Sequence, residues 1–323
     1  MKYLIKLQDG AKKVATRDAY GEALAELGRE NPNVVALDAD LSKSTKTAVF
    51  GKAFPERFFN MGIAEANLMA TAAGLAAAGK VPFASTFAVF ATGRAFDQVR
   101  NSICYPRLNV KIGASHAGLT VGEDGGSHQS VEDIALMRVL PNMTVLVPAD
   151  GTETRAAVRA AAALNGPVYL RLGRAGVPTL FNPDYGFRVG EAVILREGRD
   201  VSLFACGVMV AEALRAADEL AAEGLEAEVV NVSTLKPFDS RTVADSARKT
   251  GAAVSAEEHS IIGGLGGAVA ECLGEHAPVP LVRVGLRDTF GESGTPDELL
   301  KAYGLTAADI VRSAKEAVQR KGK

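Results

Sequence analysis

Cysteine is scarce in this chain. Cys104, Cys206 and Cys272 are odd in number, lie far apart, and form no CxxC. A disulfide framework and a thiolate metal knuckle are therefore excluded, and reduced thiols in a cytosolic protein are expected. Long apolar runs are missing as well. "ATAAGLAAAG" is broken by glycines, and no basic, apolar and small-residue blocks of a leader stand at the start. Neither a membrane span nor a signal peptide is expected. Neither sign of charge is in excess. The net charge of −2 implies no polyanion partner, so nucleic acid is not expected. There is no HExxH and no Walker loop. "GGLGGAV", from Gly263, lacks the GxGxxG spacing of a dinucleotide fingerprint and reads as close packing at a helix start. No metal site is assigned to the acids of "DAD", Asp38 and Asp40.

What remains is an ordinary soluble composition, 47% hydrophobic and 23% charged over 323 residues. After a short arm, 1–12, strands and helices alternate. "TRDAYGEALAELGREN" sets Tyr20, Leu24 and Leu27 on one helical face, and Asn31-Pro32 closes it. "NVVALDAD", "VPFAST", "LNVKIGAS", "MTVLVPA" and "GPVYLRLG" read as buried strands. Between them "MGIAEANLMATAAGLAAAG", "GRAFDQVRNSICY", "VEDIALMRVL" and "GTETRAAVRAAAAL" read as helices. A second series has "AVILREGRDVSLFACG", "LEAEVVNV", "GAAVSAEE" and "PLVRVGL" as strands, with three helices between. This alternation predicts an α/β chain with two consecutive domains, 13–190 and 191–323. Each should be a mostly parallel sheet flanked by helices.

One loop is armed with unusual side chains. "GEDGGSHQ", 122–129, is too polar for a strand and too rich in glycine for a helix. Metal binding, a phosphate cradle and proton transfer are all open to it. Other polar residues follow strand ends in the same domain: Asp40 and Ser44, then Ser85 and Thr86 with Phe87 and Phe90, then His116, then Arg174. Ligands of open α/β sheets bind outside the carboxyl ends of strands, so these groups are placed to converge. Taken singly, each has a plainer reading: His116 as a loop histidine, Phe87 and Phe90 as core. Glu65 is harder to set aside. A carboxylate on a helix that is apolar nearly all round needs a partner, and a ligand nitrogen is one candidate.

"ATRDAYGEAL", "DADLSKS", "GIAEANLMATAAGLA", "STFAVF", "SHAGLTVGEDGGSHQSVED" and "RVLPNMTVLVPAD" resemble, in order, the pyrimidine-binding domain of the transketolase family. "STLKPFD" and "EEHSIIGGLGGAVAE" resemble that family's C-terminal domain. The resemblance implies thiamine diphosphate as cofactor. Glu65 matches the glutamate that hydrogen-bonds the N1′ of the aminopyrimidine, and the cofactor's ylid is the nucleophile. Phe90 matches the ring stacked on the pyrimidine, with Phe87 beside it, and Asp40 and Leu41 match residues lining the cofactor. His128 matches a histidine handling substrate hydroxyl protons, and Asp124 the acid reading sugar hydroxyls. Arg17, Ser44, His116 and Arg174 match the sugar-phosphate pocket.

Two departures stand out. No "GDG" occurs, so the diphosphate and its Mg2+ or Ca2+ are expected on a separate chain, the N-terminal subunit of a split transketolase in an α2β2 assembly. Where transketolases often carry a ring-lining tyrosine, this chain has Gly93. There "GRAFDQV" leans toward the 1-deoxyxylulose-5-phosphate synthases. The resemblance implies ketol transfer from a ketose phosphate to an aldose phosphate. The alternatives are a transketolase of sulfonated or modified sugars, a relative of the synthases or of the 2-oxoacid dehydrogenase beta subunits, and a non-catalytic relative.

Overall fold

The computed structural model describes residues 13–321, so the predicted arm lies outside the described residues. Two sheets organise the chain. The larger has seven strands in the order Thr234–Lys236, Thr144–Leu146, Val168–Arg171, Lys111–Ser115, Val81–Phe87, Val34–Asp38 and Phe58–Asn60. All its neighbours are parallel except the first pair. The smaller has five strands, in the order Leu281–Leu286, Ala253–Ser260, Val201–Ala205, Ala227–Asn231 and Val193–Arg196. Only its last pair is antiparallel. The α/β architecture with two mostly parallel sheets is thus present as expected.

The alternation of side chains explains why both faces of the larger sheet are covered. Val34 and Ala36 pack with Tyr20, Leu24 and Leu27 of the helix Thr16–Glu30 on one face. Val35 and Leu37 pack with Leu68 and Met69 of the helix Glu65–Ala77 on the other. Burying such a leucine fully is worth about 1.5–3 kcal/mol. The second core also contains Phe204, Val230, Leu265 and Val269, so it runs on without a break into the smaller sheet. Close packing fixes one glycine: a Cβ at Gly113 would stand 2.3 Å from the Tyr20 hydroxyl, which hydrogen-bonds Ser85 at 2.7 Å.

Several elements depart from the expectation. "AVILREGRDVSLFACG" is two strands, Val193–Arg196 and Val201–Ala205, because charged "EGRD" turns between them. The helix expected from Met61 starts only at Glu65, after the left-handed Gly62. "GRAFDQVRNSICY" is helical but contains π-turns, Phe90–Arg94 and Val99–Cys104. The strand Thr234–Lys236, within "STLKPFD", crosses over to become the edge of the larger sheet.

Buried charge joins the two sheets. Glu153 accepts from the Ala149 N–H at 2.7 Å, from Tyr185 at 3.1 Å and from Asn231 across the interface at 2.8 Å. Burial, with Asp150 alongside, pushes its carboxyl up to about 7 against the pull of the Ala149 N–H. An unfolded glutamate titrates near 4.5, so between about 4.5 and 7 the folded chain holds a proton that the unfolded chain has lost. This group's contribution is therefore fully present below 4.5 and is lost as pH rises through 7. Urea unfolding across that window should show the wild type losing on the order of 2–3 kcal/mol relative to Glu153→Gln. A pH-independent difference between the two proteins would refute the assignment.

Candidate active site

The residues singled out in the sequence gather at the carboxyl ends of the larger sheet's strands. Phe87 ends one strand and lies parallel to Phe90, 5.7 Å between centroids and 11° between planes. His128 meets both rings edge-on, at 6.2 and 5.5 Å. Phe87 also stacks on His116, 3.7 Å between centroids. Phe87, Phe90, His116 and His128 therefore form one aromatic cluster, although their sequence separations give no hint of it.

His116 is buried and left-handed, with φ 58°. Its Nε2 lies 3.0 Å from an Arg17 nitrogen, and its Nδ1 lies 2.9 Å from the Ser115 hydroxyl. Arginine only donates, so Nε2 accepts and Nδ1 carries the proton. Burial first, then the charges of Arg17 and Arg174, hold its pKa down to about 3. His116 is thus neutral at pH 7 and keeps an acceptor turned toward Arg17.

Arg17 also donates to the Ser44 carbonyl at 3.2 Å, which brings Arg17, Ser44 and His116 together. Burial lowers its pKa; Asp18 opposes this, Arg174 adds to it, and Asp124 opposes it. The buried Nε of Arg17 has no hydrogen-bond partner among the described residues. A guanidinium donor left over beside a second arginine suits an anionic oxygen. Arg174 is near enough to act on both groups, but its own guanidinium donates to the Val121 carbonyl at 2.5 Å and to Glu123 at 2.8 Å. It is the one member of the expected phosphate set turned toward an acid of the loop.

Asp38 does not stand ready for a metal. Its carboxylate accepts from the Leu41 N–H at 2.6 Å, from Thr45 at 2.6 Å and from Thr47 at 2.8 Å. Those bonds fold the segment that carries Leu41 and Ser44. Asp40 is exposed and left-handed, with its carboxylate accepting from Asn60 at 2.9 Å.

Glu65 opens its helix and is 5% exposed. Its partner is Arg94, whose guanidinium nitrogen lies 3.0 Å from Oε1. The same guanidinium covers the Phe90 ring, 4.1 Å from its centroid. Sequence reasoning missed Arg94. The only signal for it was Gly93 beside it, where a ring-lining residue was expected. A buried carboxylate and an aromatic face bridged by one guanidinium fit a flat, nitrogen-bearing ring such as an aminopyrimidine, with the acid on its edge and Phe90 on its face.

The loop 122–129 is partly 3-10 helical, over Leu119–Asp124, with a kink at the left-handed Gly122. Its glycines pack against the smaller domain. A Cβ at Gly125 would stand 2.6 Å from the Ser293 hydroxyl, and one at Gly126 2.6 Å from the Gly291 carbonyl. Gln129 spans the same seam, donating to Leu119, Gly122 and Glu292 carbonyls at 3.2, 3.3 and 2.9 Å. Asp124 is exposed and His128 half-buried, so the clamped loop presents both at the surface.

Comparison with known proteins places the chain in a family. The transketolase pyrimidine-binding domain family matches residues 12–179, and the transketolase C-terminal domain family matches residues 190–310. The chain is 50% identical over 305 residues to the 6-deoxy-6-sulfo-D-fructose transketolase subunit of Clostridium sp. (strain MSTE9), covering 94% of this chain and 95% of that one. It is 37% identical over 312 residues to the transketolase of Homo sapiens, covering 95% of this chain and 50% of that one. A solved structure described as a split gene transketolase, inactive beta4 tetramer, superposes with TM-score 0.90 at 62% identity, over 95% of this chain and 99% of that one. The chain belongs to the transketolase family, as a pyrimidine-binding domain followed by a C-terminal domain in the layout of the split-gene subunits.

Proposed function

We propose that this chain is the pyrimidine-binding subunit of a two-chain, cytoplasmic transketolase. With a partner carrying the diphosphate-binding domain and its Mg2+ or Ca2+, in an α2β2 assembly, it transfers a two-carbon ketol unit from a ketose phosphate to an aldose phosphate. The observation that carries the reading is Glu65, a buried carboxylate linked through the Arg94 guanidinium to the face of the Phe90 ring. When bound, thiamine diphosphate supplies the carbanion chemistry. Glu65 holds a proton at the ring nitrogen, and Phe90 fixes the ring plane. His128 and Asp124, presented by the clamped loop, address the sugar hydroxyls. Arg17, Ser44, His116 and Arg174 form the phosphate pocket: the arginines donate to the anion, His116 and the Ser44 carbonyl hold Arg17, and Arg174 exchanges Glu123 for the incoming anion.

The relative named as inactive is a tetramer of one subunit type, which supports the need for a second chain. A sulfonated ketose is the second reading, favoured by the 50% identity to a sulfofructose transketolase subunit. Arginine recognises both anions, so the ratio of kcat/KM for phosphorylated and sulfonated donors separates them. Arg174→Ala should raise KM for phosphorylated substrates about ten- to a hundredfold, the loss of one charge-assisted hydrogen bond. Unphosphorylated substrates should change little. Equal effects on both would reject the phosphate assignment.

A further inference from the structure

We infer that Arg94 is a latch on the pyrimidine pocket, an inference that rests on the cofactor reading above. Phe90 lies parallel to Phe87 within 11°. The Arg94 guanidinium covers the Phe90 ring, 4.1 Å from its centroid. A cofactor ring that stacks on the face under Arg94 must displace that guanidinium. The same guanidinium satisfies Glu65, at 3.0 Å. Arg94 therefore occupies both contacts that the ring would make, the stack and the edge.

Local structure explains how Arg94 reaches them and how it leaves. Phe90–Arg94 is a π-helical turn, a form that inserts an extra residue and re-aims the side chains after it. Gly93 precedes Arg94, and a Cβ there would meet nothing within 4 Å. The space of a ring-lining side chain is thus open at Gly93, and Arg94 covers the Phe90 ring instead. Arg94 is 56% exposed on its side chain, whereas Glu65 is 6% exposed. The arginine can swing into solvent; the glutamate stays. The latch keeps a buried carboxylate paired until a ring replaces the guanidinium.

A closed latch lowers apparent affinity by the fraction of chains that are open. A partly exposed ion pair and a cation–π contact together set that factor at about tenfold. The test is calorimetric titration of thiamine diphosphate, with Mg2+ present, into the complex of this chain with its diphosphate-domain partner. Arg94→Ala should bind about tenfold more tightly than wild type. Arg94→Lys keeps a charge for Glu65 but has no plane to stack, and should fall between them. A variant merely damaged in structure would bind more weakly, so the sign of the change is diagnostic. Equal or weaker binding by Arg94→Ala, with wild type binding normally, overturns the latch and leaves the cofactor site standing. Failure of the wild-type complex to bind thiamine diphosphate overturns the site reading and the latch with it.

Discussion

Glu65→Gln, assembled with the diphosphate-domain partner, is expected to lower kcat at least a hundredfold without disturbing assembly. The substitution keeps the size and shape of the side chain at the first turn of its helix, and the amide oxygen still accepts from Arg94. What it removes is the capacity to hold and release a proton at the ring edge. Positioned proton transfer contributes about 10²–10⁴ in rate, and Glu65 is the carboxylate that pairs with the guanidinium over Phe90. Turnover with a ketose phosphate donor measures the loss, and sedimentation of the mixed subunits measures assembly. Near-normal turnover would remove Glu65 from its role.

The second large effect is on stability. Asp133 is fully buried and accepts from Arg171 at 2.8 and 3.1 Å and from Tyr169 at 2.7 Å. Burial alone would raise its pKa; the Arg171 charge, then His259, more than offsets this and holds the carboxyl below its usual range. Arg171 in turn donates to the Glu258 carbonyl at 3.0 Å, so the pair ties the larger sheet to the smaller. Glu258 closes the circuit by accepting from the Thr120 N–H at 2.5 Å, just before the loop that carries Asp124 and His128. Asp133→Ala leaves a guanidinium, 7% exposed, without its counter-charge. Breaking such a pair from one side costs about 3–5 kcal/mol. Equilibrium unfolding in urea should show that loss, with Asp133→Asn in between. A change below about 1 kcal/mol would mean the network does not hold the domains.

The fold was legible wherever local pattern decides it. The face of Tyr20, Leu24 and Leu27 and the buried runs at Val34 and Lys111 follow from periodicity and strand-like composition. Long-range pairing was not legible. Thr234–Lys236 joins the larger sheet although it follows the smaller sheet's first strands in sequence, and nothing local to those residues names a partner strand. The site was legible as a list of side chains, because motif resemblance supplied them, but not as a geometry. The Phe87–His116 stack and the Glu65–Arg94 pair are contacts across tens of residues. The reason for the loop glycines was illegible on the same ground. Their small size answers to Gly291 and Ser293, residues far along the chain.

On the proposed reading, catalysis requires a second chain. Ketol transfer should be measured with this chain purified alone, with thiamine diphosphate and Mg2+ in excess, and again after adding a chain that carries the diphosphate-binding domain. The chain alone should give no transfer above the uncatalysed background, and the mixture should give turnover that saturates with the added partner. Transfer by the single chain at the rate of the mixture would contradict the account.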